Sequence, residues 1–139
     1  MNKCFFVAAL SLIFLMGCLS GKDKEIKEKG LRIEQNEQEG TISVFRPGSQ
    51  SPVLVQHAKA DFRPYIHPIV APDGKGVLTE YSPGHHKHQT GLYWGFTRVN
   101  GRDFFHHPEG DYWRKVSATV VEEGGVGKEV KWQTVYDML

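Results

Sequence analysis

Apolar and polar residues alternate with a period of two along most of this chain, which is the periodicity of half-buried strands. Leu31-Arg32-Ile33 alternates, and Thr41 to Phe45 alternates again after the turn at Gly40. Pro47-Gly48 marks the next turn, and a further strand begins over Pro52 to Val55. Two strands, Arg63 to Val70 and Gly76 to Tyr81, are predicted on either side of Pro72-Asp73-Gly74, a composition suited to a turn. Val116, Ala118 and Val120 alternate before Glu123-Gly124-Gly125; Val130, Trp132, Thr134 and Tyr136 alternate after it.

The clearest hairpin is predicted over Tyr93 to His106, with Asn100-Gly101 as a type I′ turn that matches strand twist. A two-residue loop would set Val99 opposite Arg102, Arg98 opposite Asp103 and Phe96 opposite Phe105. Continuing that register sets Trp94 opposite His107. After residue 30 no long stretch shows a 3.6-residue period and no internal repeat is visible. The expected class is all-β, an antiparallel and hairpin-rich β-sandwich. The run from Trp132 to Leu139 reads as a strand in mid-course, so the chain is expected to be the incomplete N-terminal part of a larger sandwich.

The start of the chain has a different pattern. A short positive beginning, the apolar run Phe5 to Met16, then Gly17-Cys18 read as a secretory signal. The run is shorter than the roughly 20 apolar residues of a membrane-spanning helix. Leu15-Met16-Gly17-Cys18 resembles the lipobox of bacterial lipoproteins, which implies cleavage after residue 17 and lipidation of Cys18. The expected organisation is a signal over 1–17, a charged tether over 18–30 and a β domain over 31–139, truncated at its C-terminus. The expected location is outside the cytoplasm, tied to the envelope membrane by the lipid. Cys4 and Cys18 are the only cysteines, so the β domain has no disulfide to form. Removal of residues 1–17 takes away Lys3 and leaves 16 Lys+Arg against 16 Asp+Glu. That balance, with no basic stretch, argues against a nucleic-acid partner.

The chemistry concentrates in histidine. Of the seven histidines, six fall between residues 67 and 107, three of them in Gly84-His85-His86-Lys87-His88. Imidazole serves as an acid or base near neutral pH and as a ligand for transition metals. If residues 86–88 are extended, His86 and His88 point the same way and could share a divalent transition metal. A His-x-His pair also opens the cupin metal motif, but the glutamate that motif requires is absent from Gln89 to Gly95. Glu80 precedes the histidine loop and is the carboxylate best placed for acid–base work, whereas Asp73 serves its turn and Asp103 is expected to pair with Arg98. His67 and His107 are candidate helpers in ligand binding, and Trp94 a candidate stacking surface. Asp111-Tyr112-Trp113 joins an acid to aromatics, which suits either a sugar site or a core. Gly-x-Ser-x-Gly, phosphate-loop and dinucleotide motifs are absent.

An ordered series of segments carries a resemblance. Arg63-Pro64-Tyr65-Ile66-His67-Pro68, Pro72-Asp73-Gly74, the run His85 to Gly95, Asn100-Gly101 and Asp103-Phe104-Phe105 together resemble the exported bacterial family labelled "methane oxygenase PmoA", over about residues 31–139. The chain has no apolar run long enough to cross a bilayer after its signal, unlike the multi-span monooxygenase subunit of the same label. The resemblance implies an exported protein longer than this chain, working on carbohydrate. The expected function is a histidine-lined pocket that binds or acts on a sugar, with His86, His88 and Glu80 as acid–base groups and His86 and His88 as alternative metal ligands. Whether the protein is an enzyme stays open. The alternatives are a non-catalytic binding or structural β module, and a copper-dependent oxygenase component as the family label states.

Overall fold

A computed structural model describes residues 30–139; the signal, Cys18 and the tether up to residue 29 lie outside the described residues. Every regular element in this part is a strand: β1 (Leu31–Asn36), β2 (Thr41–Phe45), β3 (Pro52–His57), β4 (Tyr65–Ile69), β5 (Leu92–Tyr93), β6 (Trp113–Gly125) and β7 (Val130–Met138). They form one antiparallel sheet in the order β5-β4-β3-β2-β1-β6-β7. The all-β antiparallel class read from the alternation is therefore the observed one.

The sheet curls at the β1–β6 joint. Only Leu31 and Arg32 pair with β6, at Gly125 and Gly124, while β6 and β7 pair with each other from Trp113↔Met138 to Glu123↔Val130. The long β6–β7 ribbon thus folds back across the other strands in a sandwich-like way. Polar contacts join the two layers. Gln35 Nε2 donates to the Ala118 carbonyl at 3.0 Å, Lys115 N to the Ala60 carbonyl at 2.7 Å, and Tyr136 Oη to the Lys59 carbonyl at 2.6 Å. Ile42, Val44, Phe45 and Ala58 are buried between the layers, and Tyr65, Phe104 and Trp113 complete the core. Phe104 meets Trp113 edge-on, with ring centroids 5.6 Å apart, a favourable geometry for aromatic pairs.

Two expectations about strands are corrected. The hairpin over Tyr93 to His106 reduces to its turn. Asn100 (φ 50°) and Gly101 (φ 80°) take the left-handed values that a type I′ turn requires, and Val99 and Arg102 form the expected bridge. The ladder stops there because Arg98 is also left-handed (φ 59°), which turns the chain out of strand geometry. Asp103 then does not meet Arg98; its Oδ1 accepts from the amides of Phe105 (3.0 Å) and His106 (3.2 Å), an Asx turn. The second correction concerns Gly76 to Tyr81, which holds only single bridges, Val77 to Val70 and Tyr81 to Thr90. Thr79 uses its hydroxyl instead, accepting from the Ile69 amide at 3.1 Å.

A candidate binding site around Tyr93 and Trp94

Two irregular stretches have to be held against the sheet, and one buried arginine holds them. Arg63 has 1% of its surface exposed. Its guanidinium lies 3.5 Å from the centre of the Tyr93 ring. Nη1 donates to the carbonyls of Phe104 (3.2 Å) and Phe105 (2.5 Å); Nη2 donates to the His88 carbonyl and to Thr90 Oγ1. A planar fork with several donors suits this task, which a point ammonium could not perform. Nε has no partner among the described residues. Burial lowers the Arg63 pKa from its ordinary value, opposed by Tyr93 and by Glu109. The residue nevertheless stays cationic, since guanidinium does not deprotonate in proteins.

This clamp ties the histidine loop to the segment after Asp103, and four imidazoles gather there. Ring centroids lie 4.1 Å apart for His85–His86, 5.8 Å for His86–His88 and 4.6 Å for His88–His106. His106 Nδ1 donates to Asp103 Oδ2 at 2.7 Å, which fixes the ring's orientation. That bond, with the His106 and Phe105 amides, keeps the Asp103 carboxyl below the usual carboxylate range. Burial, reinforced by His106, His86 and Arg63, holds His88 below the ordinary imidazole value. His85, His88 and His106 line an open cleft of about 430 Å³ with Lys87, Pro108 and Glu109.

The reason for grouping His86 with His88 needs correcting. Residues 86–88 are not extended: His86 N bonds to the Pro83 carbonyl (2.7 Å) and Gln89 N to the His86 carbonyl (2.9 Å), so two tight turns follow one another. The rings meet because the turns bring them together, not because alternate residues share a face. Among the described residues no group of three or more His, Cys, Asp or Glu side chains is arranged to hold a metal ion. The copper of an oxygenase therefore finds no set of three such ligands among the described residues.

The other sequence candidates lie apart from this cluster. His67 belongs to a second group, in which its Nδ1 bonds Thr79 Oγ1 (2.9 Å) and its carbonyl accepts from His57 Nε2 (2.8 Å). His57 in turn stacks on Tyr65, centroids 4.4 Å apart and 9° from parallel, and its burial there lowers its pKa. His107 stacks on Tyr112 (4.6 Å, 10°) and lies 3.7 Å from Glu109, so it does not join His86 and His88. Glu80 and Trp94 come together elsewhere, in a second open cleft of about 620 Å³. Its polar wall is Thr79, Glu80 and Gln89; its apolar wall is Leu78, Leu92, Tyr93, Trp94 and Phe105. Gly91 forms its back: at φ 90°, a Cβ there would lie 2.4 Å from the Ile66 carbonyl oxygen. Phe105 links the two clefts, since its ring stands 5.2 Å from that of His88.

Residues 49–136 match the family described as "Family of unknown function (DUF6807)". The chain belongs to the DUF6807 family. No curated protein matches the chain, and no solved structure does. The matched span includes both clefts, the four clustered imidazoles and Arg63, so all of them are parts of the DUF6807 domain rather than of a flanking segment.

Sequence reasoning did not place Arg63 or Gln89 at a site; it assigned Asp103 to Arg98 and offered His106 only as one of three possible third metal ligands. One signal was present for two of them. An aspartate three residues before a histidine, Asp103-Phe104-Phe105-His106, is the spacing at which an Asx turn can also orient the ring. Nothing local marks Arg63, because what it binds is main-chain carbonyl from segments 25 to 42 residues away.

Proposed function

We propose that this DUF6807 protein is an exported lipoprotein that binds carbohydrate in the cleft of Trp94, Glu80 and Gln89. The lipobox-like Leu15-Met16-Gly17-Cys18 and the resemblance to the exported PmoA-labelled proteins support the location. The observation that carries the ligand class is Trp94, 77% exposed in a cleft that Glu80 and Gln89 also line. A sugar presents an apolar face of C–H groups and a rim of hydroxyls. An exposed indole offers a surface for the first, while Glu80, Gln89 and Thr79 offer acceptors and donors for the second. Single exposed apolar residues are ordinary, but Leu78 (66%), Leu92 (56%) and Trp94 share one concavity, which marks a binding site.

The neighbouring imidazoles give this site its candidate chemistry. His88 is held neutral near pH 7, and His106 is oriented by Asp103. Across Phe105 from the sugar cleft, this pair can accept or deliver a proton. Glycan binding by titration calorimetry, on wild type and Trp94→Ala, tests the reading. Loss of an aromatic anchor is expected to cost about 2 kcal/mol, roughly 30-fold in affinity. An unchanged affinity would remove the cleft as the sugar site. Turnover that disappears in a His88→Ala, His106→Ala double variant while binding persists would make the protein an enzyme; binding without turnover would make it a recognition module.

A further inference from the structure

A smaller and more closed cavity shares its wall with the proposed sugar cleft. It has a volume of about 260 Å³, and Leu92, Tyr93 and Trp94 line both spaces. Pro64, Tyr65 and Ile66 complete its near side; Thr134 of β7 lines it from the other layer, so the curl of the sheet creates it. Its one amide side chain is already engaged. Gln56 Nε2 donates to the carbonyls of His57 (2.8 Å) and Tyr65 (3.0 Å), and its Oε1 accepts from Trp132 Nε1 (3.4 Å). Beyond the Thr134 hydroxyl the lining is mainly apolar, so a polar ligand would leave most of its own groups unpaired there, which is costly, whereas an apolar one loses little.

We propose that the DUF6807 ligand is a glycoside with an apolar, ring-sized aglycone: the sugar occupies the open cleft and the aglycone the 260 Å³ cavity. The inference rests on the carbohydrate reading above and adds the substrate class. Size supports it. An apolar cavity of roughly 150 Å³ accommodates benzene, so this one takes a substituted aromatic ring or a short branched alkyl group and excludes a second sugar on polarity. Continuity supports it as well. The Leu92-Tyr93-Trp94 ridge separates a space lined by Glu80 and Gln89 from one whose near side is Pro64, Ile66, aromatic residues and the engaged Gln56. A molecule that crosses this ridge must change from polar to apolar within one bond, as a glycoside does at its anomeric oxygen.

The test uses the purified chain with matched methyl and phenyl glycosides of glucose, galactose, mannose and xylose, read by calorimetry and by Trp fluorescence. For at least one sugar the phenyl glycoside is expected to bind on the order of 10- to 100-fold more tightly than the methyl glycoside, from burial of the ring. Thr134→Phe, which fills the cavity from β7, is expected to abolish that difference and leave the methyl glycoside unaffected. Phenol is expected to compete with the phenyl glycoside and not with the methyl glycoside, a result that needs no variant. Equal affinity for the two glycosides, or a phenyl preference that survives both Thr134→Phe and phenol, overturns the aglycone assignment while the sugar reading stands. Binding of phenol without any glycoside, or of neither, overturns both.

Discussion

Arg63 is the residue on which the geometry of the site depends most, and its replacement by methionine gives the sharpest prediction. Methionine has similar length and no charge. The change would strip the donors from the His88, Phe104 and Phe105 carbonyls and from Thr90 Oγ1. Two of these contacts, to Phe105 and His88, are short; those to Phe104 and Thr90, at 3.2 and 3.4 Å, are weaker. A buried acceptor left unpaired costs roughly 1–3 kcal/mol. Against this stands the relief of no longer burying a charge that has no close carboxylate, a penalty of several kcal/mol that the hydrogen bonds and the Tyr93 ring now offset. Two strong contacts and two weak ones outweigh that relief if water reaches the freed carbonyls only in part. The expected net destabilisation is then about 2–3 kcal/mol. For a domain of this size that lowers the melting midpoint by roughly 10 °C or more. Urea denaturation of wild type, Arg63→Met and Arg63→Lys measures it, with lysine falling between because an ammonium cannot reach both sets of carbonyls. Histidine NMR supplies an independent readout. Arg63 is one of the charges that lower the His88 pKa, so His88 should titrate at a higher pH in the methionine variant. A methionine variant as stable as wild type, with His88 titrating unchanged, would refute the clamp.

The pH dependence follows from two imidazoles. His57 and His88 both lie below the ordinary value of 6.5, chiefly through burial, so the unfolded chain binds protons that the folded chain refuses. Stability is complete above pH 6.5 and falls as pH drops from there toward the lowered folded values; urea midpoints at pH 8, 7, 6 and 5 should show the decline, and His57→Phe, which keeps a ring on Tyr65, should flatten it. Asp103 acts in the same direction at lower pH, its contribution being present above the ordinary carboxylate value and lost as pH falls through its depressed value. Two glycines separate conformational strain from collision. Gly101→Ala meets nothing within 4 Å and should cost only the left-handed penalty of about 1–2 kcal/mol, whereas Gly91→Ala drives its Cβ to 2.4 Å from the Ile66 carbonyl oxygen and should cost clearly more in the same denaturation experiment.

Periodicity located β1, β2 and the β6–β7 ribbon, where exposure alternates along much of each strand, while turn signals at Pro47-Gly48 and Pro72-Asp73-Gly74 bracketed β3 and β4, whose burial does not alternate. It failed between residues 76 and 112, where single bridges and turns replace ladders. Arg98 illustrates why. Its left-handed backbone is not encoded by its side chain, and a sequence pattern that continues through it reads as strand. The Asn100-Gly101 turn was legible because those two residue types tolerate φ above zero. Of the site, the crowding of histidines was visible and their partition was not. His86, His88 and His106 share one cluster, His57 and His67 another, and His107 stands with Tyr112, as tertiary contacts of Arg63, Thr79 and Tyr65 dictate. The pairing of Glu80 with Trp94 was equally hidden, since Gly91 must approach the Ile66 carbonyl before the two line one cleft.

The same feature explains how the irregular third of the domain can hold the proposed site. Loops can display side chains at angles that a strand forbids, but they position them only if something fixes their main chain. Sheets do this through ladders. Between Thr79 and Pro108 the ladder shrinks to the short strand β5 and single bridges, and side chain to main chain bonds take over: Thr79 to the Ile69 amide, Asp103 to two amides, Arg63 to three carbonyls. Each donor or acceptor is single, so each is a point at which one substitution releases one segment. Loss of Thr79 should free the cleft's polar wall, loss of Asp103 the His106 ring, and loss of Arg63 both loops together. A site built in this way should lose ligand affinity at all three positions while the β6–β7 ribbon, whose ladder contains none of them, keeps its amide protection in hydrogen exchange. If the ribbon loosened together with the loops in the Thr79→Val variant, the domain would be a single cooperative unit, and the division between a scaffold of ladders and a site of single bonds would be wrong.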